Sequence, residues 1–145
     1  MKYINRIHRC GGQYRSMRLP KSELSPHQHI YIFHICRNPG ISQYELSKRI
    51  CINKSNVTRQ LSILEKNGYI IRQSDENDHR IMRVFPTDTA KNLYPDVLRI
   101  MTEWNNLLLA ELSDLEKEQF ITLLERLTNK AIDAISSDNS KEVNQ

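Results

Sequence analysis

Residues 42–83 decide the fold, and they read SQYELSKRICINKSNVTRQLSILEKNGYIIRQSDENDHRIMR. Ser42 and Glu45 have the spacing of a capping box, which predicts a short helix. Asn53 is a typical N-cap for a second helix, which Gly68 ends. Two short helices joined by a tight turn indicate a helix-turn-helix.

The second helix has one apolar and one polar face. Val57, Leu61 and Leu64 recur at i, i+4 and i+7, which places them within about 60° of one another on a helix that turns about 100° per residue. Ser55 and Arg59 fall on the opposite side. The polar face is therefore expected to point outward, as in a helix that reads bases in the major groove.

Two stretches rich in β-branched and aromatic residues follow, at 69–73 and 81–85, with turn formers between them. They predict a β-hairpin. The predicted fold class is thus mainly α with a small β-hairpin wing, in which a winged helix-turn-helix lobe is joined to a helical dimerisation domain.

Further helices are predicted on both sides. Ser25 starts a helix with Pro26 at its first position, Thr87 caps a long helix running to about Leu112, and Ser113 opens the last one. An N-terminal helix is expected despite the glycines at 11–12. We assign the chain to four segments: 23–87, the DNA-binding lobe; 1–22 and 88–136, a helical dimerisation region; and 137–145, a flexible tail.

The dimer is expected because the outer helices carry more apolar surface than one small lobe can bury. These apolar side chains are Met101, Trp104, Leu107, Leu108, Phe120 and Leu124. An intramolecular helical bundle is the alternative.

Charge is unevenly distributed. Residues 1–21 hold six Lys or Arg and no acidic residue, whereas 87–145 hold six basic and eleven acidic residues. A basic first half suits a polyanion, although solvated surface alone is an equal alternative. No apolar run is long enough for a membrane span, so we expect a cytoplasmic protein. We find no enzyme motif and expect neither a cofactor nor a metal site.

The residues expected to contact double-stranded DNA combine short hydrogen-bonding side chains with basic ones. They are Gln43, Lys54, Ser55, Asn56, Thr58, Arg59, Gln60, His79 and Arg80. Asp78 is expected to pair with an arginine and support the wing. A plain loop turn is equally compatible with its position.

Several motifs together resemble the MarR family of bacterial and archaeal transcriptional regulators. They are LSPHQ at 24–28, NPGISQYELS at 38–47, NKSNVTR at 53–59, LEKNGYI at 64–70, DHR at 78–80 and PTD at 86–88. The resemblance implies a homodimer that binds a pseudo-palindromic operator, acts as a repressor, and responds to a ligand or oxidant. Two positions depart from the family pattern: His79, where a second wing arginine is common, and His29, where an aromatic is frequent.

The sequence leaves open which signal the protein senses. An aromatic or phenolic effector could bind near Tyr14, Arg15, Tyr31 and His34, but core packing also accounts for Tyr31. Cys10 lies beside basic residues and could sense oxidants, whereas Cys51 is expected to pack as a small apolar residue. A winged helix that binds another protein instead of DNA is the remaining alternative.

Overall fold

The structure, a computed structural model, describes residues 1–19 and 24–142, with side chains described up to residue 135. Within this part of the chain lie six α-helices and three short strands. In chain order they are α1 (Lys2–Arg18), α2 (Gln28–Arg37), β1 (Ile41–Ser42), α3 (Gln43–Ile50), α4 (Lys54–Lys66), β2 (Ile70–Ser74), β3 (Met82–Pro86), α5 (Asp88–Leu109) and α6 (Asp114–Glu142). The chain divides into two compact units, Met1–Asn105 and the residues from Asn106 onward.

The predicted hairpin is present, and it belongs to a three-stranded antiparallel sheet of order β1-β3-β2. The sequence did not predict β1, which is only two residues long and pairs Ile41 with Val84. Gly40 enters this strand with φ +83°, and a Cβ there would lie 3.1 Å from the Phe85 ring. Glycine therefore suits this position both for its backbone conformation and for the space available.

The hydrophobic core of the first unit lies between α2, α3, α4 and the sheet. Val57, Leu61 and Leu64 are all fully buried, which confirms the predicted inward face of α4. The other completely buried side chains include Ile32, Ile35, Leu46, Val84 and Ile100. This core fixes α4 against the scaffold, so its polar side is the exposed one.

The predicted caps of three helices are confirmed. The Ser42 hydroxyl accepts a bond from the Glu45 N–H, and the Glu45 carboxylate accepts one from the Ser42 N–H. Asn53 Oδ1 accepts from the Asn56 N–H at 2.9 Å. Ser113 and Glu116 form the same reciprocal pair at the start of α6. These contacts satisfy N–H groups that a helix start leaves unpaired.

Other predicted boundaries shift by a few residues. Helix α2 begins at Gln28, because Ser25 to His27 form a turn closed by the Gln28 N–H on the Ser25 carbonyl. Helix α5 runs through Pro95 and ends at Leu109, three residues before the predicted end.

Helix α1 continues through its glycines. A Cβ on Gly11 would lie 3.0 Å from Trp104 Nε1. The glycine therefore allows α1 and the indole of α5 to approach closely, which offsets its poor helix propensity.

The domain assignment stays a prediction. Helix α6 extends to Glu142, into the segment expected to be a flexible tail. The last three residues of that tail and the expected boundary at 22–23 lie outside the described residues. No helix in the described part of the chain combines the length and apolarity that crossing a membrane requires.

Candidate nucleic-acid interface

A groove of about 410 Å³ lies where the starts of α3 and α4 meet the wing. Four of the residues predicted to contact DNA line it together, although they come from three separate elements: Gln43, Lys54, Thr58 and Arg80. Ser42, Tyr44, Ile81 and Met82 complete the lining. The groove thus carries two cationic side chains and no carboxylate.

Tyr44 forms one wall of this groove and is 54% exposed. The ammonium groups of Lys48 and Lys54 lie 5.6 and 5.0 Å from its ring centre. An exposed aromatic ring between two lysines is well suited to lie along a phosphate backbone.

The exposed face of α4 is held in order by short polar contacts. Ser55 Oγ donates to Asn53 Oδ1 at 3.1 Å, and Arg59 Nη2 reaches Asn56 Oδ1 at 3.4 Å. Thr58 Oγ1 donates to the Lys54 carbonyl at 2.9 Å. These bonds restrain the side chains that would approach base edges, and restraint lowers the entropy cost of binding.

The wing is tied to the lobe by a pair that the sequence analysis did not identify. Arg83 Nε donates to the Asp75 carboxylate, and Arg83 Nη1 donates to the Gly40 carbonyl at 2.9 Å. The bond from Arg83, with backbone N–H groups of Asn77 and Asp78, lowers the pKa of Asp75 to about 2. Arg83 thereby links the wing tip to the loop before β1.

Asp78 lies beside Arg80 at the tip of the wing. Its carboxylate accepts bonds from Arg80 Nε at 3.0 Å and Nη2 at 3.2 Å, and these bonds lower its pKa. The Arg80 side chain is nevertheless 91% exposed. His79 is also exposed, and its Nδ1 lies 3.3 Å from Ser74 Oγ. The arginine is thus oriented by one carboxylate and still accessible.

Gln60 is placed differently from the other predicted contacts. It is only partly exposed, and its Oε1 accepts a bond from Gln28 Nε2 on α2 at 3.2 Å. Its amide oxygen therefore faces the scaffold.

The four residues of the tentative effector pocket lie in different surroundings. The Tyr14 ring lies 5.2 Å from the Trp104 ring and is tilted against it. Burial, with the nearby charge of Arg15, lowers the pKa of His29 to about 4. Tyr31 is 1% exposed and belongs to the core, so core packing accounts for it. His34 packs against Phe33. The tentative effector pocket therefore stays a prediction.

The cysteines differ in exposure. Cys10 is exposed on α1. Cys51 is also exposed, so the expectation that it packs as an apolar residue was wrong; it occupies the turn between α3 and α4 with φ 53°, which directs its thiol toward the Lys48 carbonyl. Burial raises the pKa of Cys36 to about 11. Within the described residues, no three His, Cys, Asp or Glu side chains cluster as metal ligands.

A helix-turn-helix followed by a hairpin, with a basic groove between them, defines the winged helix-turn-helix class of DNA-binding proteins. Residues 24–82 match the MarR family. The HTH-type transcriptional regulator YybA of Bacillus subtilis (strain 168), itself uncharacterized, is 28% identical over 127 residues, which cover 88% of this chain and 85% of that protein.

Solved structures agree with the sequence relatives. The transcriptional regulator SlyA superimposes with a TM-score of 0.88 at 28% identity, covering 92% of this chain and 94% of its own. A MarR-family regulator from Listeria monocytogenes, solved with a 26mer DNA, gives a TM-score of 0.86 at 27% identity, with coverage of 92% and 89%. The chain thus resembles the MarR family over residues 24–82, and the proteins it matches are transcriptional regulators, in line with the expectation of a regulator rather than an enzyme.

Proposed function

We propose that the protein is a sequence-specific regulator that binds double-stranded DNA as a homodimer on a pseudo-palindromic operator. The observation that carries this proposal is the groove that joins the starts of α3 and α4 to the wing with cationic and neutral side chains only. The Listeria relative solved with DNA supports it. Such a protein would work in the cytoplasm.

The proposed DNA contacts differ in the part of the DNA that each residue would reach. Ser55, Asn56 and Arg59 lie on the exposed side of α4 and would read base edges in the major groove. Residues of the groove wall, Tyr44 and Lys54, would follow the phosphate backbone. Arg80, on the wing, would enter the adjacent minor groove, where a guanidinium is attracted by the negative potential.

The homodimer is supported by the apolar side chains that the single chain leaves exposed. Among the described helices α6 carries the largest share of them: Leu115, Phe120, Ile121, Leu123, Leu127, Ile132 and Ile135. Exposed apolar surface of this extent is typical of an interface. A second copy of the chain would cover it and hold two lobes at the spacing of two half-sites.

Tuning by a small aromatic or phenolic effector is the further part of the proposal. A groove of about 500 Å³ between α1 and the start of α2 is lined by Arg9, Arg15, His8 and His27 among others, and by no acidic residue. An anionic aromatic in this region would release DNA, as expected of a repressor.

The test is selection of bound fragments from a random DNA pool by the purified protein, followed by fluorescence anisotropy on the enriched and a scrambled duplex. We expect a pseudo-palindrome to be enriched, and the affinity to fall steeply as salt is raised, because counterions are released on phosphate contact. A protein that enriches no sequence, or that binds without salt dependence, contradicts the proposal and favours the protein-binding alternative. Light scattering on the same sample must give the mass of a dimer.

A further inference from the structure

Gln28, the first residue of α2, is a buried polar side chain with two defined partners. It is 6% exposed. Its Oε1 accepts a bond from the Ser25 N–H at 2.8 Å, and its Nε2 donates to Gln60 Oε1 on α4 at 3.2 Å. Gln28 therefore connects the loop before α2 to the recognition helix.

The direction of these bonds is fixed by chemistry. A backbone N–H can only donate, so the Gln28 oxygen must face Ser25, and its NH₂ group must face Gln60. Because that NH₂ group donates, Gln60 must in turn present its oxygen. The backbone at Ser25 thus determines the orientation of two side-chain amides that could otherwise be flipped.

This orientation limits what Gln60 can offer to DNA. With its oxygen directed at Gln28, the Gln60 side chain presents its NH₂ donors away from that contact. Asn56 lies one helical turn earlier on the same flank of α4. A glutamine pairs with adenine through both its oxygen and its NH₂ group, so Gln60 lacks half of what that pairing needs.

We propose that Gln28 is a positioning residue that makes Gln60 a donor-only contact, directed at a hydrogen-bond acceptor on DNA. The base-edge acceptors in the major groove are guanine O6 and N7, adenine N7 and thymine O4, and the other source is a phosphate oxygen. The inference rests on the proposed function, since it assumes that α4 enters the major groove.

Two single variants reverse the polarity of this contact. In Gln60→Glu, one oxygen still accepts from Gln28 while the other replaces the outward NH₂ group. In Gln28→Glu, the carboxylate accepts from both Ser25 and Gln60, so the Gln60 amide must turn and present its oxygen. The glutamate at position 28 still accepts from the Ser25 N–H, which preserves the turn before α2. Asn92→Asp, on an exposed site of α5, adds the same charge as a control.

We expect each of the two variants to lose about tenfold in affinity for the operator selected by the wild-type protein. In both, an oxygen of residue 60 then faces the acceptor on the DNA, and no hydrogen bond can form. If the acceptor is on a base, reselection shifts one position of each half-site toward adenine or cytosine, which offer donors. If it is a phosphate, the loss is equal on all sequences. The control should bind within twofold of the wild-type protein.

The outcomes separate the two proposals. A wild-type protein that enriches no sequence overturns the proposed function. If the wild-type protein enriches an operator and both variants bind it with unchanged affinity and select the same sequence, only the inference is overturned. The inference also fails if Gln60→Glu selects a changed sequence while a folded Gln28→Glu does not. Thermal unfolding establishes folding, and if Gln28→Glu does not fold, an unchanged operator with Gln60→Glu still overturns the inference.

Discussion

The winged lobe and the last helix bury their apolar side chains to very different extents. In the lobe, Leu46, Val57 and Leu61 are completely buried. On α6, Leu115 is 65% exposed and Leu127 is 53% exposed. The core of the lobe is therefore closed within the chain, with Ala90 and Val97 of α5 packed into it. The apolar side chains of α6 are left for another surface to cover.

Replacing a core residue of the lobe should produce the largest effect. We expect Leu61→Ala to lower the free energy of unfolding by about 2–5 kcal/mol, because it leaves a cavity in a fully packed site. The neighbouring Ile63, which is 39% exposed, provides the control: Ile63→Ala should cost about 0.5 kcal/mol or less. Urea unfolding measures both. Equal losses would show that the inward face of α4 is not packed more tightly than its outer face.

Placing a charge on α6 tests the other half of the comparison. Leu127→Glu should convert the proposed dimer to monomers and weaken operator binding by about 100-fold, since two linked lobes bind with avidity. Gln119→Glu adds the same charge at an exposed polar site of α6 and should leave both properties unchanged. Light scattering and anisotropy are the measurements. If the Leu127→Glu protein remains a dimer, this stripe does not form the interface.

Within the lobe, the helix and the wing should contribute differently to DNA binding. Arg59→Ala should reduce operator affinity about tenfold while leaving binding to random DNA unchanged, because it removes a base contact. Arg80→Ala should weaken both and lower the salt slope by about one. Anisotropy at several salt concentrations distinguishes these patterns. Identical effects of the two variants on both DNAs would argue against the division.

Replacing His29, which lies on α2 near Arg15 of α1, should change the free energy of unfolding least at neutral pH. Burial, with Arg15 adding to it, lowers the pKa of this histidine from 6.5 to about 4. The unfolded chain therefore takes up a proton between these values and the folded chain does not, so stability should fall as pH drops from about 6.5 to about 4. His29→Phe should flatten that slope in urea unfolding at stepped pH. An unchanged slope would place the titration elsewhere.

Local signals predicted most of the fold. The capping boxes at Ser42 and Ser113 and the N-cap at Asn53 depend on residues only three positions apart, so the sequence displays them directly. The inward stripe of α4 was equally readable from its spacing. The short strand β1 was not, because Ile41 owes its conformation to Val84, far along the chain.

The candidate site was predicted only in part for the same reason. Residue type and helical phase indicated Lys54, Arg59 and Arg80, but nothing local shows that Arg83 bridges Asp75 and Gly40. The Gln28 to Gln60 bond likewise joins residues 32 positions apart. Polar side chains committed to distant partners look the same in sequence as those left free to bind a ligand.

The order of the strands has a consequence for the folding kinetics of the wing. Strands β2 and β3 pair across a short turn, with Ser74 opposite Met82. The third strand adds only when Ile41 reaches Val84, and the Arg83 bond to Gly40 spans 43 residues. Closing that long loop costs more chain entropy than forming the hairpin. The hairpin should therefore fold early, and its attachment to the lobe should be among the last steps to complete.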